Sequence, residues 1–237
     1  MILLIKLILA HLVGDFLFQP YNWVKEKERE KLASPKLYLH VLIHLLLYFL
    51  VVWDFSIWYI PVIISATHLI IDGLKLSLQT EKTKRLFFFI DQLLHFAVIF
   101  AVCFFLINSN LAIKFPPQSL LFITGAFFLT TPTSVMIKMI ISVYKPHTEI
   151  EKDESLDNAG KYIGILERLL VFVFIVSGHW EGVGFLIAAK SIFRFSDLTA
   201  SKDRKLTEYI LIGTLLSFGI AILTAIICNS LLFSFVI

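Results

Sequence analysis

Residues 37–53 read LYLHVLIHLLLYFLVVW, an unbroken apolar run that carries two histidines and no Asp, Glu, Lys or Arg. A helix rises about 1.5 Å per residue, so a run of this kind covers most of the roughly 30 Å hydrocarbon core of a bilayer. Leu86 to Ile107, which holds a single charged residue, Asp91, and Tyr209 to Phe233 are longer apolar runs. Backbone in lipid must satisfy its own polar groups, which leaves helices or a closed barrel. The period-two alternation of a barrel is absent. Composition agrees, with 58% hydrophobic and 16% charged residues and a mean hydropathy of +0.84. A soluble domain is nearer half apolar and a quarter charged. The expected fold is all-α, a polytopic transmembrane helix bundle.

Eight spans are expected, near residues 2–20, 37–54, 57–78, 86–108, 118–143, 161–178, 181–195 and 208–232, within a range of six to eight. The first run contains His11, Asp15 and Gln19 and no small-residue cleavage site, so it reads as a span and not as a signal peptide. Positive charge collects in alternate links: Lys25, Lys27, Arg29, Lys31 and Lys36; Lys82, Lys84 and Arg85; Lys145 and Lys152; Lys202, Arg204 and Lys205. The other links carry almost none, only Lys114. Lys/Arg excess marks cytoplasmic loops, so both termini are expected outside a cell (inner) membrane, with the basic loops cytoplasmic. Two parts are expected: 1–108, a four-helix domain, and 109–237, a C-terminal helical domain, with Glu149 to Asp157 as a solvated connector. Cys103 and Cys228 sit singly in apolar helices and read as small buried hydrophobes. The basic stretches are short and close to the membrane, which excludes nucleic acid as a partner.

Four pairs share one spacing: His11 and Asp15, His40 and His44, His68 and Asp72, Asp91 and His95. Residues four apart lie on one helix face, so each pair points one way. Five of the seven histidines belong to these pairs; His147 and His179 do not. All eight side chains are of types that ligate zinc, iron or manganese. Each pair also lies at the end of its span nearest a basic loop, so four helices bring their pairs to a similar depth. Isolated membrane histidines serve mainly as interhelical hydrogen-bond partners, and a His/Asp proton relay uses the same residues. Four aligned pairs favour metal, as one ion with outer carboxylates or as two ions.

The stretches HLVGDFLFQ (residues 11–19), HVLIH (40–44), HLIIDGLK (68–75) and DQLLH (91–95) resemble the bacterial membrane family known as domain of unknown function 3307. They are more distantly similar to bacterial inner-membrane metal-dependent hydrolases. If the site is catalytic, the simplest chemistry is metal-assisted hydrolysis, in which a bound ion lowers the pKa of a water and polarises the scissile group, and the second resemblance agrees with it. His11, His40, His44, His68 and His95 are then nitrogen ligands. Asp15, Asp72 and Asp91 are oxygen ligands, one of them the general base. Zinc is the first choice of metal, with manganese or iron as alternatives. Gln19 and Gln92 follow the pairs and can donate to substrate or water. Lys75, one turn beyond Asp72, can hold a phosphate or snorkel to the interface. Location in the inner leaflet points to a lipid or lipid-linked substrate. A di-iron oxidase lacks its adjacent-histidine motifs here. A metal or proton-coupled carrier, and a non-catalytic subunit with a structural metal, remain open.

A second polar set lies in the C-terminal half: Glu167, Arg168, Lys190, Arg194 and Glu208. These residues read either as ion pairs between helices, Glu167 with Lys190 and Arg194 with Glu208, or as a pocket for an anionic ligand.

Overall fold

The computed structural model describes the backbone of residues 2–106, 117–144, 154–200 and 204–236, with side chains over 2–105, 118–144, 160–192 and 208–232. Lys114, Lys145, His147, Lys152 and Lys202 lie outside the described residues, as does the start of the acidic connector (149–153). Helices are α1 (Ile2–Phe16), α2 (Tyr21–Glu30), α3 (Pro35–Val52), α4 (Tyr59–Leu78), α5 (Lys84–Leu106), α6 (Pro117–Phe128), α7 (Thr131–Ile141), α8 (Glu154–Val176), α9 (Trp180–Ala200) and α10 (Arg204–Val236). No strand occurs among the described residues. The chain divides into two compact units, Met1–Leu120 and Leu121–Ile237.

The first span ends earlier than expected. α1 stops at Phe16, and α2 departs from it at 79°. Pro20 explains the break, because it has no N–H to donate and its ring drives the preceding residue out of helical geometry. α3 starts cleanly behind Ser34 with Pro35 in its first turn, and ends on Trp53 in the left-handed region at φ 47°. In the turn that follows, Asp54 accepts from the Ser56 hydroxyl at 2.7 Å and from its backbone N–H at 2.9 Å. Those two bonds hold the Asp54 carboxyl below its usual range, the hydroxyl first.

Within the first unit, α1 packs on α3, α3 on α4, α4 on α5 and α5 back on α1, closing a ring of four helices. Its interior is layered. Leu3 and Leu7 on α1, Tyr48 and Val52 on α3, Ile60 and Ile64 on α4, and Ile99 and Val102 on α5 form one dry layer. One turn further along each helix, toward α2, the buried residues become His and Asp. The outer faces are apolar as well, with Leu42, Leu46 and Leu50 on α3 and Ile70, Leu74 and Leu78 on α4 all exposed. A water-soluble helix keeps a polar outer face.

Five helical stretches are long and apolar enough to cross a membrane: Pro35–Val52, Tyr59–Leu78, Lys84–Phe105, Gln118–Tyr144 and Glu208–Leu232. Counted as one broken span, the bent α1–α2 pair would make a sixth. The chain is thus consistent with a multi-pass membrane protein, and the expected count of eight is not reached among the described residues. The two missing spans, 161–178 and 181–195, do form helices. Their charges separate them from the others: Lys161, Glu167 and Arg168 in α8, and Glu181, Lys190 and Arg194 in α9.

In the second unit, α8 packs on α9 and α10, and α7 on α8 and α10. Between α6 and α7 the helix is interrupted at Leu129 and Thr130, ahead of Pro132. Arg168 fills that interruption. Its guanidinium donates to the Leu129 carbonyl at 2.6 Å, the Thr130 carbonyl at 3.1 Å, Ser134 Oγ at 2.6 Å and Ser217 Oγ at 3.1 Å.

Candidate metal centre

Each of the four ring helices delivers one i, i+4 pair to the interior: His11 and Asp15 from α1, His40 and His44 from α3, His68 and Asp72 from α4, Asp91 and His95 from α5. A four-residue step keeps the pair on one stripe, and the same stripe carries the apolar layer one turn away. All eight side chains meet there, each histidine and both Asp72 and Asp91 being buried. Close approach on one side depends on Gly14. A Cβ at that position would lie 2.8 Å from His44 Nδ1, inside contact distance, so the bare backbone lets the imidazole lie against α1.

Two carboxylates organise the cluster. Asp15 Oδ1 lies 3.0 Å from His44 Nε2, 3.3 Å from His40 Nε2 and 3.7 Å from His68 Nε2. Its Oδ2 is 3.7 Å from His11 Nε2. Asp72 Oδ1 lies 3.4 Å from His95 Nε2 and 3.8 Å from His68 Nε2. His95 Nε2 is also 3.4 Å from Asp91 Oδ1. His40 and His68 face each other, Nε2 to Nε2, at 3.1 Å. The His68 ring is stacked on His95 with centroids 4.0 Å apart, and lies 4.0 Å from His44 on its other side.

Three overlapping sets have ligand atoms within 4.8 Å of one another: His11, Asp15, His44 and His68; His40, His68 and Asp72; Asp72, Asp91 and His95. These buried groups have the composition and spacing to hold a metal ion. Their hydrogen bonding points the same way. His11 Nδ1 and Nε2, the Nδ1 atoms of His40, His44 and His68, Asp91 Oδ1 and His95 Nε2 are buried with no hydrogen-bond partner. An unpaired buried polar group costs about 1–3 kcal/mol, and a bound cation would relieve those whose lone pairs it reaches.

Other polar side chains close the site on the side of α2. Gln92 donates to Asp15 Oδ2 at 2.7 Å. Lys75 donates to Asp91 Oδ2 at 2.8 Å. Lys27 donates to Asp72 Oδ2 at 2.9 Å, and is itself buried. Gln19 lies in the link after α1, half-buried, with no hydrogen bond to the cluster among the described residues. Lys27 carries no signal in the sequence, because α2 is charged throughout and reads as a solvated helix. Tyr48 does carry one: it continues the His40, His44 series by a further four residues. Its ring is 5.7 Å from His44, and its hydroxyl is buried without a partner.

The C-terminal polar set belongs to the second unit. Lys190 is paired with Glu167. Arg168 is committed to the four protein acceptors named above. Arg194 lies in α9, its side chain outside the described residues, and Glu208 is exposed near the start of α10.

Fold and site together define an all-helical protein with membrane-length apolar helices around a buried cluster of metal-ligand side chains. Residues 3–122 match the family described as Protein of unknown function (DUF3307), and the chain belongs to that family. The match runs from Leu3 in α1 past the end of α5 and therefore takes in every residue of the cluster. No curated protein and no solved structure matches the chain, so the resemblance to hydrolases has no counterpart there.

Proposed function

We propose that this chain is an intramembrane metalloprotein of the cell membrane that hydrolyses a lipid-like or lipid-linked substrate, using one or two divalent ions held by the His/Asp cluster. Zinc suits the imidazole and carboxylate donors best, with manganese and iron next. The observation that carries the reading is the convergence of eight ligand-type side chains from four helices, seven of them buried, with several ring nitrogens and a carboxylate oxygen that no protein group satisfies.

The membrane setting draws support from the apolar outer faces and from the ends of the ring. Trp53, Phe55 and Trp58 are exposed at the α3–α4 turn. Aromatic residues favour the interface. The opposite end carries Lys25, Arg29, Lys31, Lys82 and Arg85, all exposed, and their positive charge supports a cytoplasmic placement of that end. The cluster then lies in the inner leaflet, within reach of a lipid headgroup.

A divalent ion there would supply a water of lowered pKa and a Lewis acid for the scissile bond. The chain's own residues divide the remaining work. Gln92 fixes one oxygen of Asp15, and the histidines surround the other. Lys75 fixes Asp91 Oδ2, which leaves Asp91 Oδ1 as the carboxylate oxygen placed to take a proton. The dry layer from Leu7 to Ile99 excludes water from the far side.

Elemental analysis of untagged protein purified in mild detergent tests this reading. One or two equivalents of metal are expected in the wild type, and loss of metal in both His44→Ala and Asp72→Ala with helicity retained. A wild type that takes up no metal after reconstitution would refute it.

A further inference from the structure

Two lysines sit against the cluster, and at most one of their charges is needed to neutralise the carboxylates once a metal is present. Lys27 and Lys75 each hold one oxygen of an aspartate at 2.9 and 2.8 Å, and those same aspartates approach His95 through their other oxygens. With neutral imidazoles, the three carboxylates and two ammonium groups leave a single negative charge. One divalent ion turns the balance positive, and a second makes it strongly so. Uncompensated charge in a low-dielectric interior is costly, so a site of this make-up calls for an anion. An ammonium has three donors, and among the described residues each lysine directs one to its carboxylate. Lys75 is partly exposed while Lys27 is enclosed.

We infer that Lys27 and Lys75 form a phosphate-binding subsite beside the metal centre, so that the substrate is a phosphate ester. The inference rests on the metal reading above. The phosphate receives the spare ammonium donors of both lysines, and its charge offsets that of the ion. Its source is a lipid headgroup or a water-soluble phosphate, which share this chemistry.

The test uses the full-length protein in nanodiscs, loaded with manganese, with metal content measured on every sample. Orthophosphate is added, and its binding and phosphorus-31 line broadening are followed. The wild type is expected to bind phosphate with strong broadening from the nearby ion. Lys27→Met and Lys75→Met should keep the metal and bind phosphate about tenfold or more weakly, while Lys27→Arg and Lys75→Arg stay close to wild type. Displacement of orthophosphate by phosphatidic acid, but not by phosphatidylcholine, assigns the subsite to lipid phosphomonoesters; retention against both assigns it to a soluble phosphate. A wild type that holds metal without binding or broadening phosphate overturns the inference and leaves the metal reading standing. Methionine variants that hold metal and bind phosphate normally do the same, as do variants that lose metal and phosphate together. A wild type without metal overturns both readings at once.

Discussion

Gly14 precedes Asp15 on α1, and its missing side chain is the space that His44 occupies. Gly14→Ala is therefore expected to displace the imidazole, break its 3.0 Å contact with Asp15 and lower metal content, while circular dichroism stays close to wild type. Unchanged metal binding in that variant would show that the ring has room to shift. Tyr48 tests the opposite case. Its hydroxyl is buried without a partner, so Tyr48→Phe should leave thermal stability within about 0.5 kcal/mol of wild type or raise it. A loss well beyond that would mean that the hydroxyl serves a group at the site. At this scale the pairs are legible in the sequence. Ionisable side chains are costly in an apolar helix, and four separate runs carry them at the same four-residue step, as a shared site requires. Lys27 is not legible. Its burial depends on the angle between α2 and α1, and no residue spacing encodes contact with Asp72, which lies 45 positions away.

The helices of the first unit are legible from apolar run length alone, and α3 and α4 lie within two residues of where those runs place them. α1 ends short of its apolar run because hydropathy continues through Leu17 and Phe18 while backbone geometry does not. Pro20 carries the signal, and apolar character outweighs it. α8 and α9 read as spans from their leucines, isoleucines and phenylalanines, although their charges set them apart. The use of Arg168 has no sequence signature, because it depends on the interruption between α6 and α7. Arg168→Met is expected to leave the carbonyls of Leu129 and Thr130 unpaired and to cost about 2–4 kcal/mol, with no change in metal content. A thiol-reactive dye in a thermal ramp reads this directly, because Cys228 is buried and Cys103 partly so. An unaltered transition would mean that water replaces the guanidinium there.

For the molecule as a whole, the proposed orientation puts α2 in the cytoplasm and the α3–α4 turn outside. In a background with Cys103 and Cys228 replaced by alanine, Arg29→Cys should react with a membrane-impermeant maleimide only from the cytoplasmic side, and Phe55→Cys only from the other. Both positions are exposed, so failure to label would not arise from burial. The reverse pattern would place the cluster in the outer leaflet. The bend at Pro20 has a further consequence. α2 turns 79° away from α1 and carries the Lys27 ammonium to Asp72. In the proposed orientation such a helix would lie along the headgroup layer, as a threshold between the lipid surface and the cluster.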